Sequence, residues 1–245
     1  MWNKKQIKSH KVSAEILKKV NNSAFNLIKA RKSINEKDVI DFILKEFKKY
    51  KLKIDDYPPI VAFGKNTDAP HYFAKGKGRK LTKSSVILID IWARQKQKGS
   101  PFADITWMAY YGNEIPKQLD EIHKINTKAR DLALDFIKLN LKKGRIPSGK
   151  DIDYVVRSYI SEKGFGKCFK HGTGHPLGFY SAHGRDGNIR KANKKPLLIN
   201  MGYTIEPGIY IKGKFGVRNE LDFYIDKNLN LIITTPVQKD WVMIK

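Results

Sequence analysis

The chain has 245 residues, 41% of them hydrophobic, and 48 Lys and Arg against 24 Asp and Glu, for a formal net charge of +24. That length allows one large domain or two small ones with an adequate core. No apolar run of about 18 residues occurs, so no membrane-spanning helix is expected, and the lone Cys168 excludes an intramolecular disulfide and fits a cytoplasmic setting.

The N-terminus, MWNKKQIKSHK, is basic and has no apolar stretch after it, so no secretory signal is expected there. Val12, Ile16, Leu17, Val20, Phe25 and Ile28 follow a helical period across 12–31, and Val39, Ile40, Ile43, Leu44 and Phe47 predict a second helix. A polar connector runs to Pro59. A strand at Ile60–Phe63 and a glycine- and lysine-rich stretch around Lys75–Lys80 come next, then a hairpin of Val86–Trp92 and Asp104–Tyr110.

The order then repeats. Pro116–Lys143 predicts a long helix, Ile152 to Ile160 another, and Gly164–Gly178 is rich in glycine. Strands are expected at Tyr203–Ile211, Glu220–Ile225 and Leu229–Thr234, with Gly184–Pro196 as a surface excursion. INEKDVIDFI (34–43) echoes PSGKDIDYVV (147–156), which suggests a duplicated α-α-β unit with halves of about 1–115 and 116–245 in a single domain. The expected class is α+β, an antiparallel sheet inside and long helices outside.

Five residues stand out against this frame. Asp90 ends VILIDIW, Asp104 opens DITWMAYYG, His175 closes HGTGH, Glu206 lies in YTIEPGIYI and Glu220 precedes LDFYI. Lone carboxylates in water-poor strands cost several kcal/mol unless something compensates them. Each acid pair is 14 residues apart across a polar turn, so each hairpin would bring two acids together. Four carboxylates would balance two divalent cations, and an imidazole favours a transition metal. A two-metal hydrolase is the resulting expectation.

The remaining polar residues read more plainly. His10 and His123 are expected to face solvent, Trp2, Trp92, Trp107 and Trp241 to pack, and Gly174 and Gly178 to allow close backbone approach or positive φ. The lysines are scattered through KKQIK, KEFKKYKLK, KGKGRK, LKKGR and RKANKK, with no basic helix or nucleic-acid module. No specific nucleic acid and no membrane partner are therefore expected.

From about Val12 to Val242 the chain resembles the pita-bread metallopeptidases, which include methionine aminopeptidase, aminopeptidase P and prolidase. PHYF (70–73), LIDI (88–91), ADIT (103–106), HGTGHPLG (171–178), TIEPGIYI (204–211) and VRNELDF (217–223) carry the resemblance. It implies a pita-bread fold with pseudo-twofold α-α-β units and five metal ligands: Asp90, Asp104, His175, Glu206 and Glu220. Asp104 and Glu220 would bridge, with Asp90 on one metal and His175 with Glu206 on the other. The metals implied are two divalent transition ions, Mn²⁺ or Co²⁺ first, Zn²⁺ or Fe²⁺ otherwise.

His71, His171 and His183 match substrate-side positions. His171 and Arg218 match the Xaa-Pro branch, where Arg218 would also meet substrate. The implied activity is release of an N-terminal residue, Xaa-Pro first, by a hydroxide held at the metal pair. Glu206 would shuttle the proton, and His171 or His71 would stabilise the tetrahedral intermediate. The partner is a peptide substrate, with a homodimer as a possible assembly. Methionine aminopeptidase, a creatinase-like enzyme and a non-catalytic basic pita-bread binder are the alternatives.

Overall fold

The computed structural model describes residues 1–185 and 187–245. Four long helices and a central hairpin organise it. Helix α1 spans Lys4–Ala30 and starts a full two turns before the predicted stripe, because Asn3 and Gln6 close a capping box. Helices α2 (Glu36–Lys49) and α4 (Gly149–Glu162) also open with capping boxes, Asn35 with Asp38 and Ser148 with Asp151. Helix α3 spans Lys117–Lys142.

Strands β1 (Leu52–Lys53) and β2 (Ile60–Phe63) both pair with β3 (Ser85–Gln95), which pairs antiparallel with β4 (Ala103–Tyr111). The two long strands are buried on both faces, so their sequence is an almost unbroken apolar run. Ile87, Ile89, Ile91, Ile105 and Ala109 pack on α1 and α2. Val86, Leu88, Trp92, Met108 and Tyr110 belong to a second core shared with the C-terminal half of the chain. A fully buried Ile or Leu here contributes about 1.5–3 kcal/mol. Asp90, Asp104 and Thr106 have the parity of the second set, so the acids point toward the C-terminal half.

In the C-terminal part, β5 (Gly202–Ile205) pairs with β8 (Leu221–Ile225), and β6 (Gly208–Ile211) with β7 (Phe215–Arg218). Both ladders keep one register: Ile205 is opposite Leu221, and Gly208 is opposite Arg218. They form one long hairpin interrupted where Glu206–Pro207 faces Asn219–Glu220. Strand β9 (Leu231–Ile233) extends β8, and β10 (Val242–Ile244) joins β4 in parallel. Among the described residues, no helix is long and apolar enough to cross a membrane.

The expected α+β architecture and both acid hairpins are present, with three corrections. His10 and His123 do not face solvent. They are 0% and 2% exposed, because each lies on its helix's inner stripe: His10 with Ala14, Leu17 and Asn21, His123 with Leu119, Asn126 and Arg130. The excursion at 184–196 is not purely a surface loop: Ile189 is fully buried and exchanges backbone hydrogen bonds with Gly174. Asp186 within it lies outside the described residues. Strands β1 and β10 had no counterpart in the periodicity.

Candidate metal centre

The two hairpins deliver their acids differently despite equal spacing in sequence. On β3–β4, Asp90 is opposite Thr106 and Asp104 is opposite Trp92, so the two aspartates are diagonal neighbours on one face. On the C-terminal hairpin, the shared register sets Glu206 opposite Glu220 at the interruption. That break leaves both glutamates outside the regular ladders.

Cross-links join the hairpins. The Asp104 N–H donates to Asp222 Oδ2 at 2.8 Å, and the Glu220 N–H donates to the Thr106 carbonyl at 3.1 Å. Thr106 Oγ1 donates to Glu220 Oε2 at 2.7 Å. His175 arrives on the glycine-rich segment beside β5: its N–H donates to Thr204 Oγ1 at 3.0 Å, and its carbonyl accepts from the Thr204 N–H at 2.9 Å. Gly174 is required for that approach, since a Cβ there would sit 2.0 Å from the Thr204 carbonyl oxygen. Gly178 is crowded in the same way by Ser181, and neither glycine has positive φ.

One ligand atom each from Asp104, His175 and Glu220 lies within 4.8 Å of the others. His175 Nδ1 is 3.1 Å from the Pro176 carbonyl, which assigns the proton to Nδ1 and leaves the Nε2 lone pair free. Nε2 lies 3.2 Å from Glu206 Oε1 and 3.9 Å from Asp104 Oδ2. Burial holds the His175 pKa down, to about 4. Burial pushes the Asp104 and Glu220 carboxyls well up, and neighbouring acids add to it; Glu206 is also raised by burial, against the pull of Arg218.

Asp90 stands apart from the close trio. Its Oδ2 accepts from Arg218 Nη2, while its Oδ1 is buried with no partner, as is Asp104 Oδ1. Orphaned carboxylate oxygens beside an imidazole lone pair fit a hard-to-borderline divalent cation. The five residues expected as ligands line one cavity of about 480 Å³ with His71, His171, His183 and Arg218.

The substrate-side residues are not equally free. His71 and His183 are exposed at the cavity, and the His183 ring centroid is 4.0 Å from that of His175. His171 has both ring nitrogens engaged, Nδ1 by the Gly172 carbonyl and Nε2 by the Tyr210 hydroxyl, each at 2.8 Å. Burial, then Arg218, depresses its pKa to about 3. Every Arg218 nitrogen is engaged too: Nε by Thr106, Nη1 by the Pro70 carbonyl and Tyr210, Nη2 by Asp90. His171 must release a protein partner to hydrogen-bond substrate, whereas Arg218 keeps one Nη2 N–H unused.

Four contributors escaped the sequence reading: Thr106, Thr204, Tyr210 and Asp222. Three of them follow a cavity acid at i+2 or precede one at i−2 (Thr106 after Asp104, Asp222 after Glu220, Thr204 before Glu206). A period-2 reading around each acid would have found them.

The profile of metallopeptidase family M24 matches residues 8–227. An uncharacterized peptidase of Staphylococcus aureus (strain MSSA476) is 32% identical over 195 residues, 80% of this chain and 52% of the relative. This chain thus spans about half the length of the curated relatives it matches. Among solved structures, an X-Pro aminopeptidase from Thermotoga maritima MSB8 superposes with TM-score 0.86 at 28% identity, over 99% of this chain and 64% of the other. A prolidase from Thermococcus sibiricus gives 0.85 at 29% identity, over 99% and 62%.

Proposed function

The chain belongs to metallopeptidase family M24 and shares the pita-bread fold, and from that premise we propose that it is a metal-dependent exopeptidase that hydrolyses an N-terminal peptide bond, with Xaa-Pro as the preferred bond. The observation that carries this reading is the buried trio of Asp104, His175 and Glu220, with Asp104 Oδ1 unpartnered, on the floor of a peptide-sized cavity. Asp90 and Glu206 complete a donor set for two cations. When bound, divalent cations ease the ionisation of water and polarise a peptide carbonyl.

The chain's own residues do the rest. The acids at the cavity floor attract a free amino terminus and so select the end of a peptide. Glu206 Oε1 is fixed by Thr204 at 3.1 Å, while Oε2 has no hydrogen-bond partner among the described residues. A carboxylate so placed can carry a proton from water to the departing amine. Arg218 holds Asp90 in place and, through the Pro70 carbonyl, fixes the loop that carries His71. His71 and His183 are the cavity histidines with a free edge for the scissile bond. His171 acts through Tyr210, keeping Arg218 and Asp90 oriented.

The similarity to an X-Pro aminopeptidase and a prolidase favours Xaa-Pro over methionine release. The test is turnover of an Xaa-Pro peptide beside Met-Ala-Ser, in Mn²⁺, Co²⁺ and Zn²⁺, for the wild type and Glu206→Gln. Cleavage of the Xaa-Pro peptide, reduced about 100- to 10,000-fold by Glu206→Gln, is expected. Cleavage of Met-Ala-Ser alone would overturn the branch. No metal uptake after loading would overturn the enzyme.

A further inference from the structure

The catalytic cavity does not end at His71. His71 and Phe73 also line a second cavity of about 550 Å³, whose other walls include Asn66, Tyr72, Lys75 and Arg79. The two spaces share those two side chains and so adjoin across His71 and Phe73.

The second cavity is cationic by construction. No acidic residue lines it, and neither Lys75 nor Arg79 makes an ion pair among the described residues. The acid beneath it, Glu36, is fully spent. Its Oε1 accepts from the Phe63 N–H (2.7 Å) and Asn66 Nδ2 (2.9 Å), and its Oε2 accepts from the Tyr72 hydroxyl and the Arg79 N–H (2.6 Å each). All four donors are neutral, so the buried Glu36 carboxylate offsets one of the two cations and the groove keeps one net positive charge. The turn that presents the two cations is rigid: the Gly78 N–H donates to the Lys75 carbonyl at 3.0 Å, φ at Gly78 is +66°, and a Cβ there would lie 2.5 Å from Glu36 Oε2.

We infer that this groove binds the part of a peptide that follows the cleaved bond and selects substrates with an acidic side chain there. The inference rests on the peptidase reading and names its substrate class. An amino terminus held by the floor acids leaves the downstream chain to run outward. A groove with two unpaired cations and Tyr72 and Phe73 as walls complements extended acidic sequence. Long-range attraction from the +24 chain would favour acidic peptides wherever their charge sat, whereas this site favours them at particular positions.

The experiment uses the metal-loaded protein and Xaa-Pro peptides that are identical except for Asp, Asn or Lys, placed in turn at the third, fourth and fifth positions. A fluorescently labelled non-hydrolysable version of each is read by anisotropy. Asp is expected to exceed Asn by about five- to tenfold in kcat/KM and in affinity at one or two positions, with Lys below Asn. The double variant Lys75→Gln/Arg79→Gln should abolish that difference, read as the ratio of Asp to Asn peptide within the variant. The control, Lys8→Gln/Lys19→Gln on the outer face of α1, should keep it. Equal handling of Asp and Asn peptides overturns the inference, as does a preference that survives the double variant or is lost equally in the control. If no peptide is cleaved, the peptidase reading fails by itself, and the anisotropy series still decides the groove.

Discussion

At the start of α2, Asn35 and Asp38 cap the helix, and three main-chain bonds tie it to the following loop: Glu36 N–H to Arg79 O, Lys37 N–H to Lys77 O, and Leu81 N–H to Ile34 O. At the start of α4, Ser148 and Asp151 cap the helix, and the same three bonds recur: Gly149 N–H to Lys195 O, Lys150 N–H to Asn193 O, and Leu197 N–H to Pro147 O. The backbone plan is repeated, but the side-chain wiring is not. Where α2 has the buried Glu36, α4 has Gly149, and a Cβ there would meet the Asn188 carbonyl oxygen at 2.4 Å. The second unit takes its acid one turn later, from Asp153. That carboxylate accepts from the Thr173 N–H and hydroxyl and pairs with Arg157, whose guanidinium also donates to the Phe169 and His171 carbonyls. Each unit thus spends one buried acid on the loop bearing its cavity histidine. The first does so with neutral donors, the second with a cation.

That difference predicts unequal losses. Glu36→Ala strands two backbone N–H groups and two side-chain donors with no cation to turn outward, and is expected to cost about 3–5 kcal/mol in urea denaturation. Asp153→Ala should cost less, about 2–3 kcal/mol, because the Arg157 side chain is already 32% exposed and can hydrate. The functional signatures should cross over. Asp153 supports the segment that carries His175, so its loss should weaken metal affinity about 10- to 100-fold. Glu36→Ala should leave metal affinity near wild type and raise KM. Equal metal affinity in the two variants would erase the distinction.

The backbone echo was legible because capping chemistry is local: Lys-Asp after a break announces both helices. The five cavity residues were legible because a carboxylate amid Val, Ile and Leu is conspicuous. What stayed hidden depends on distant partners. The 14-residue spacing does not reveal that one acid pair is diagonal and the other directly opposed, since register is set along the whole ladder. The three residues of β10 become a strand only through β4, more than a hundred residues earlier. His10 reads as polar, yet its Nδ1 lies 2.9 Å from the Phe102 carbonyl and its Nε2 2.6 Å from Thr234 Oγ1, and the local sequence contains neither partner.

The two buried histidines carried by helices extend the comparison. His10, on α1, has partners for both nitrogens; His123, on α3, stacks on Trp241 at 4.3 Å and leaves Nε2 buried without one. Burial lowers both pKa values to about 4 from 6.5. The unfolded chain therefore binds the extra proton first, and stability falls as pH drops from about 6.5 toward 4. At pH 5 each group accounts for about 2 kcal/mol of that loss. His123→Phe should remove its share of the slope and stay near neutral at pH 7, because it deletes an unpartnered atom. His10→Phe should remove a like share but lower stability at pH 7, because Phe102 and Thr234 lose a partner. Urea midpoints at pH 7, 6 and 5 check both, and identical behaviour of the two variants at pH 7 would contradict the assignment.

The smallest change separates a hub from its spokes. The Tyr72 hydroxyl donates to Glu36 Oε2 at 2.6 Å and accepts from Asn66 Nδ2 at 2.8 Å. Burial and Glu36 push its pKa up, so it remains a donor at any pH where the protein is handled. In Tyr72→Phe, Glu36 Oε2 keeps the Arg79 N–H, and Asn66 keeps Glu36 Oε1. Two hydrogen bonds are lost, but Glu36 and Asn66 each keep another partner, so the cost is about 1 kcal/mol in all, and the ring still walls the cationic groove. If the loss in urea equals that of Glu36→Ala, the carboxylate is not the element holding the His71 loop, and the contrast with Asp153 fails. A loss near a quarter of it, with unchanged metal affinity, assigns the loop's position to the acid itself.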